Sequence, residues 1–148
     1  MRRTLRLALP LTFLGLAACA QQSTLPDATA ITPEFLVGTQ WEVSELYGQP
    51  VPGRAPTIAF SDDNRSHGYA GCNQFFGHYQ LQGDAFSIDR IGSTRKLCEE
   101  ERNQIEQRYL RGLKTVRQAI RQDLDLILLD EAQQVVVHFR PLTEAPVL

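Results

Sequence analysis

From residue 34 to about residue 142, apolar and polar positions alternate with a period close to two, interrupted at short intervals by turn-forming residues. Trp41 and Val43 alternate with Glu42 and Ser44 until the Tyr47-Gly48 break. Thr57-Ile58-Ala59-Phe60 predicts a second strand, which ends in the turn formers Ser61-Asp62-Asp63-Asn64-Arg65. Residues 66–71 resume the pattern and complete a first hairpin. Residues 77–82 and 85–89 flank Gly83-Asp84, where glycine takes a positive φ at no steric cost and suits a tight primed turn. That hairpin puts Tyr79 and Leu81 on the same side as Phe86 and Ile88. Residues 124–129 and 135–139 predict a last hairpin across residues 130–134, and their near-continuous apolar runs predict burial at the sheet centre.

One segment keeps a different period. In residues 99–116, Ile105, Tyr109, Leu110, Leu113 and Val116 recur at spacings of three and four, which predicts an amphipathic helix. Glu99, Glu100 and Glu101 open it, and Arg111, Lys114 and Arg117 close it, so the charges complement the helix dipole. One packed helix among seven to eight short antiparallel strands predicts a mainly β (α+β) fold, a small curled sheet or partial barrel closed by the helix.

The first 33 residues follow neither pattern. Arg2, Arg3 and Arg6 precede an apolar run over residues 7–18, the arrangement of a secretory signal. Its 12 residues are too few to span a bilayer, which takes roughly 20. The run ends in Leu16-Ala17-Ala18-Cys19, which resembles the lipobox of bacterial lipoproteins. That resemblance implies diacylation of the Cys19 sulfur and N-acylation of its amine after cleavage, and two or more acyl chains anchor stably where one binds marginally. Ala20 after the cysteine implies sorting to the outer membrane, facing the periplasm. Residues 20–33 are small and polar with two prolines, and read as a flexible tether. The expected organisation is a signal peptide over 1–18, lipidated Cys19 and tether over 19–33, a domain over 34–142 and a tail over 143–148.

Composition narrows the partners. The 148 residues carry a formal net charge of −2, but residues 19–148 hold 12 Arg or Lys against 17 Asp or Glu, a net of −5. Nothing in that balance favours displacing counterions from nucleic acid, so the expected contacts are a membrane, through the lipid, and an envelope protein.

With Cys19 assigned to lipid, Cys72 and Cys98 remain. A pair in an exported domain is read as a disulfide, closing a loop worth about 3.5 kcal/mol in the chain-entropy model. Free thiols, or a metal site with His67 and His78, are the competing readings; the sequence lacks a CxxC pair and the close histidine spacing of zinc sites. No catalytic set is expected. His67, His78 and His138 lie on predicted strands, and Ser66 and Ser93 lie outside any nucleophile motif. No metal and no cofactor are expected. Asn73 follows Cys72 in a turn, where its side chain can hold nearby backbone. Asn73, Phe75, Thr94 and Arg95, beside the cysteine pair, form the candidate binding rim, with one of Phe75 and Phe76 entering the core and the other exposed for recognition.

Gly71-Cys72-Asn73-Gln74-Phe75-Phe76-Gly77-His78-Tyr79, then Gly83-Asp84, then Ser93-Thr94-Arg95-Lys96-Leu97-Cys98, resemble the signature of the META/HslJ family. Gly38-Thr39-Gln40-Trp41-Glu42-Val43 is similar to that family's first strand, residues 106–113 to its helix and Val137-His138-Phe139 to its last strand. One departure is Leu97, where many members carry Met or Ala. The resemblance implies a small antiparallel β domain with one packed helix, often borne on envelope lipoproteins and linked to heat-shock induction and drug tolerance. It implies no catalytic activity. The expected function is therefore a non-catalytic envelope lipoprotein, a stress-protective or protein-binding module, including inhibition of a periplasmic hydrolase. The alternative is a carrier of small apolar ligands in a barrel cavity lined by Trp41, Phe60, Tyr79 and Phe86.

Overall fold

The computed structural model describes residues 28–142. The elements run β1 (Thr29–Ala30), α1 (Pro33–Leu36), β2 (Gln40–Leu46), β3 (Gln49–Pro50), β4 (Thr57–Phe60), β5 (Arg65–Tyr69), β6 (Gln74–Gln82) and β7 (Ala85–Ser93). There follow α2 (Glu100–Thr115), β8 (Val116–Gln122), β9 (Asp125–Asp130) and β10 (Val135–Pro141). Eight of the described strands close into an antiparallel barrel in the order β2-β4-β5-β6-β7-β8-β9-β10, with β10 returning to β2. Two short strands lie off this path, β1 beside β8 and β3 beside β2. Among the described residues no helix is long and apolar enough to cross a membrane.

Side chains alternate across the barrel wall because strand periodicity is two. Trp41, Val43 and Leu46 of β2, Ile58 and Phe60 of β4, and Phe86 and Ile88 of β7 are buried in one continuous core. An eight-stranded barrel leaves an interior just wide enough for side chains to fill. Here aromatic rings fill it: Phe60 meets Tyr79 at 5.1 Å and Phe86 at 5.9 Å between centroids, both edge to face. Helix α2 packs against β7 and β10, strands that are not neighbours in the wall, and so closes the barrel between them. Its Ile105, Tyr109 and Leu113 are the buried face that the three-and-four spacing predicts.

The hairpin across Gly83-Asp84 has the expected register, with Leu81 opposite Phe86 and Tyr79 opposite Ile88, and Gly83 sits at φ +63°. The last hairpin is also as expected, and β9 buries four consecutive residues. Leu126 and Leu128 face the main core, while Ile127 and Leu129 join Ile120 in a second, smaller cluster. Strand β8 lies where the period-two reading assigns none. A bulge between Val116 and Gln118 breaks its alternation, and Arg117, Gln118 and Arg121 dilute its apolar signal.

One boundary differs. The tether expected to run through residue 33 joins the fold earlier: Thr29 and Ala30 pair with Arg121 and Ile120, and Ile31 is only 4% exposed in the core. A single isoleucine in a small polar stretch gives almost no periodic signal, and its burial is decided by the distant strand it meets. The expected signal peptide, Cys19, the rest of the tether and the tail at 143–148 lie outside the described residues.

Candidate functional site

At one end of the barrel, residues 70–73 join β5 to β6 and residues 94–99 join β7 to α2. Cys72 and Cys98 are bonded across these connections, 5.9 Å apart at Cα. The turn lies directly on α2. Gly71 has φ +124°, and a Cβ there would stand 3.0 Å from the Glu106 nitrogen and from an Ile105 methyl, so this approach requires glycine.

Asn73 is the organising residue. It is 5% exposed, and its amide is spent on the neighbouring connection. Its Oδ1 accepts from Lys96 N–H at 2.6 Å and from the Thr94 hydroxyl at 3.0 Å. Its Nδ2 donates to the Lys96 carbonyl at 3.3 Å and to Glu106 Oε1 at 3.1 Å. One side chain thus holds both polar groups of the Lys96 backbone, as a neighbouring strand would. Glu106 completes the clamp from the helix, its Oε2 accepting the N–H groups of Asn73 at 2.6 Å and Cys72 at 3.3 Å. Hydrogen bonds to an ionised acceptor are about twice as strong as neutral ones. The far side is held by Asn103, whose Nδ2 donates to the Cys98 carbonyl at 3.0 Å. Arg102 extends the ties to residues 52–54, donating to the carbonyls of Pro52 and Arg54 at 2.6 Å each.

The clamped segment presents its side chains outward. Thr94, Arg95 and Lys96 are exposed, and Leu97 is 93% exposed. Among the described residues, the recess beside it is lined by Asn73, Lys96, Leu97, Asn103, Glu106 and Gln107, among others.

The expected rim therefore divides. Arg95 lies on the surface as predicted. Asn73 lies beneath it and accepts from the Thr94 hydroxyl, while Thr94 is itself exposed, and both line the recess. Phe75 is a correction. It is 2% exposed and packs its ring edge on Tyr109 at 5.6 Å, whereas Phe76 is 60% exposed. Parity decides this: Phe75, Gly77 and Tyr79 share the inner face, and Phe76 lies outside over Gly92, where a Cβ would come within 2.5 Å of its ring. Leu97, Asn103 and Glu106 are the site residues that sequence reasoning missed. Glu106 had a usable signal, being a carboxylate one residue from Ile105 on the margin of the apolar stripe.

The titratable groups elsewhere do not converge with this segment. His138 Nε2 lies 2.8 Å from Asp125 Oδ2 on the outer wall, both partly exposed. His67 and His78 lie on β5 and β6, and Ser66 is fully buried. Among the described residues, no three of His, Cys, Asp or Glu are grouped to hold a metal ion. Burial raises the Tyr79 hydroxyl above its ordinary pKa and the Tyr109 hydroxyl well above it.

Comparison with known proteins places this geometry. The model of the META domain matches residues 34–142. An NMR structure of a protein from Burkholderia xenovorans is similar, with 24% identity and a TM-score of 0.63 over 82% of this chain and 99% of that one. A crystal structure of a DUF4847-family protein from Bacteroides vulgatus shares the fold, with 15% identity and a TM-score of 0.57 over 72% of this chain and 94% of that one. No curated protein matches the chain.

Proposed function

The chain belongs to the META domain family, and from that footing we propose that it is a non-catalytic lipoprotein of the bacterial envelope that binds a protein partner through the clamped segment at 94–98. The observation that carries the reading is the contrast within that segment: backbone fixed by Asn73, Glu106, Asn103 and a disulfide, side chains given to solvent. A surface already ordered before binding loses little conformational entropy on association, so its contacts count fully toward affinity. Inhibition of a periplasmic hydrolase and protection under envelope stress are the roles such a module would serve. Carriage of an apolar ligand has less support, because Phe60, Tyr79 and Phe86 pack on one another where the ligand would sit.

The anchor is tested by Cys19→Ala in the full chain, produced in a bacterium. Wild type is expected to incorporate labelled palmitate and the variant none. A variant that incorporates the label as wild type does contradicts the lipid anchor.

A further inference from the structure

We infer that the segment from Arg95 to Cys98 is a substrate-like inhibitory loop, offering Leu97 to the primary specificity pocket of an endopeptidase that accepts a large apolar residue. The inference rests on the binding-module reading above and names its site and partner class.

Four observations converge on Leu97. It is the most exposed large apolar side chain among the described residues, at 93%. Such exposure forgoes the stabilisation that burying a leucine contributes. The backbone around it has no positive φ from Thr94 to Glu99 and forms no helix or turn there. Peptidase clefts bind extended chain by adding it as a strand, which uses backbone hydrogen bonds for affinity and side-chain pockets for selectivity.

The hydrogen bonds alternate along this chain. Thr94 is tied through its N–H to the Gln74 carbonyl, Lys96 through both backbone groups to Asn73, and Cys98 through its carbonyl to Asn103. Among the described residues, the N–H and C=O of Arg95 and Leu97 have no such partner. One edge of the segment is therefore paired to the domain and the other is open, with the open edge carrying the two residues a peptidase would need to pair.

The clamps also decide the fate of the bond after Leu97. A serine peptidase would transfer the Leu97 acyl group to its hydroxyl, breaking the Leu97–Cys98 bond, and its base would pass the hydroxyl proton to the departing Cys98 amine. In a flexible loop that amine diffuses away and water completes hydrolysis. Here Asn73 holds the Lys96 side, and the disulfide and Asn103 hold the Cys98 side. The amine stays beside the acyl group at high effective concentration, so the peptide bond re-forms in preference to hydrolysis. Tight occupation without turnover is inhibition.

The test uses the full-length protein in detergent against chymotrypsin and subtilisin, which take apolar residues in the primary pocket, and against trypsin, which requires a basic one. Wild type is expected to inhibit at least one of the first two saturably and to leave trypsin active. Leu97→Arg, at a position that packs against nothing, is expected to weaken that inhibition by about 100-fold and to produce inhibition of trypsin. Asn103→Ala is expected to convert lasting inhibition into slow cleavage after Leu97. The inference is overturned if wild type inhibits neither probe at about 10 μM, far weaker than protease–inhibitor pairs reach. It is equally overturned by rapid cleavage after Leu97, or by inhibition that Leu97→Arg leaves unchanged. A partner crosslinked to this segment, with no inhibition of the probes, would end this inference and leave the binding-module reading standing; the absence of both the crosslink and the inhibition would remove both readings.

Discussion

Tyr109→Ala is expected to lower the unfolding free energy by about 4 kcal/mol. The ring is fully buried and bridges helix and barrel, with its centroid 5.6 Å from Phe75 and 6.3 Å from Phe139. Truncation leaves a cavity at the junction of α2 with the wall, where neither side can move in without breaking the other's packing. Tyr109→Phe separates the ring from its hydroxyl. The hydroxyl is buried without a protein partner, so its removal is expected to be neutral or slightly stabilising near pH 7. The two variants then part at high pH. Burial raises the native Tyr109 well above the ordinary value of 10.0, so the unfolded chain ionises first. Below that value the hydroxyl is neutral in both states and adds no pH dependence, and stability is lost as pH rises past it toward the native pKa. Denaturation curves from pH 8 to 11 are expected to show an alkaline decline in wild type that is shallower in Tyr109→Phe; Tyr79, also raised by burial, retains part of it. An Ala variant within about 1 kcal/mol of wild type would remove Tyr109 from its place at the junction.

The second large effect comes from the disulfide. Cys72→Ser with Cys98→Ser opens a loop with a sequence separation of 26, for an expected loss of about 3.5 kcal/mol by the chain-entropy model. Most of that acts on the unfolded state, so the native barrel is expected to keep its circular dichroism. The segment at 94–98 should change more than the rest. Asn73 and Lys96 lose the bridge beside them, so amide exchange is expected to accelerate at Cys72 and Lys96, whose N–H groups Glu106 and Asn73 accept, and to stay slow in β6 and β9. Loss below about 1 kcal/mol, with unchanged exchange, would show that the polar clamp suffices alone.

Local features of the fold were legible in the residues, and nonlocal ones were not. Gly83-Asp84 announces its hairpin because the turn is decided by two residues. The spacing of Ile105, Tyr109 and Leu113 announces α2 because one face repeats. Closure of the barrel depends on β10 pairing with β2, with Phe139 opposite Val43, and no local pattern records a contact across that length of chain. Ile31 and β8 were missed for the same reason: their partners, not their neighbours, hold them.

The candidate site follows the same division. The cysteine pair and the exposed Arg95 could be read from residue type. The inward position of Phe75 was available by carrying the parity of Tyr79 back through Gly77, but glycine in the middle hides the alternation. Glu106 offered only its place beside Ile105 on the margin of the apolar stripe, Asn103 was out of reach because it acts on a residue of another connection, and Leu97 matters only because both its neighbours are held.

The central claim, that this clamped segment is a protein-binding surface, is met most directly by photocrosslinking in living cells that produce the full chain. A photoreactive residue at position 95 is compared with one at position 82, an exposed site near the hairpin turn at the end of β6. A discrete protein adduct from position 95, absent from position 82 and diminished by the Cys72→Ser, Cys98→Ser pair, is the predicted result. No adduct from position 95, or the same adducts from both positions, would contradict the account.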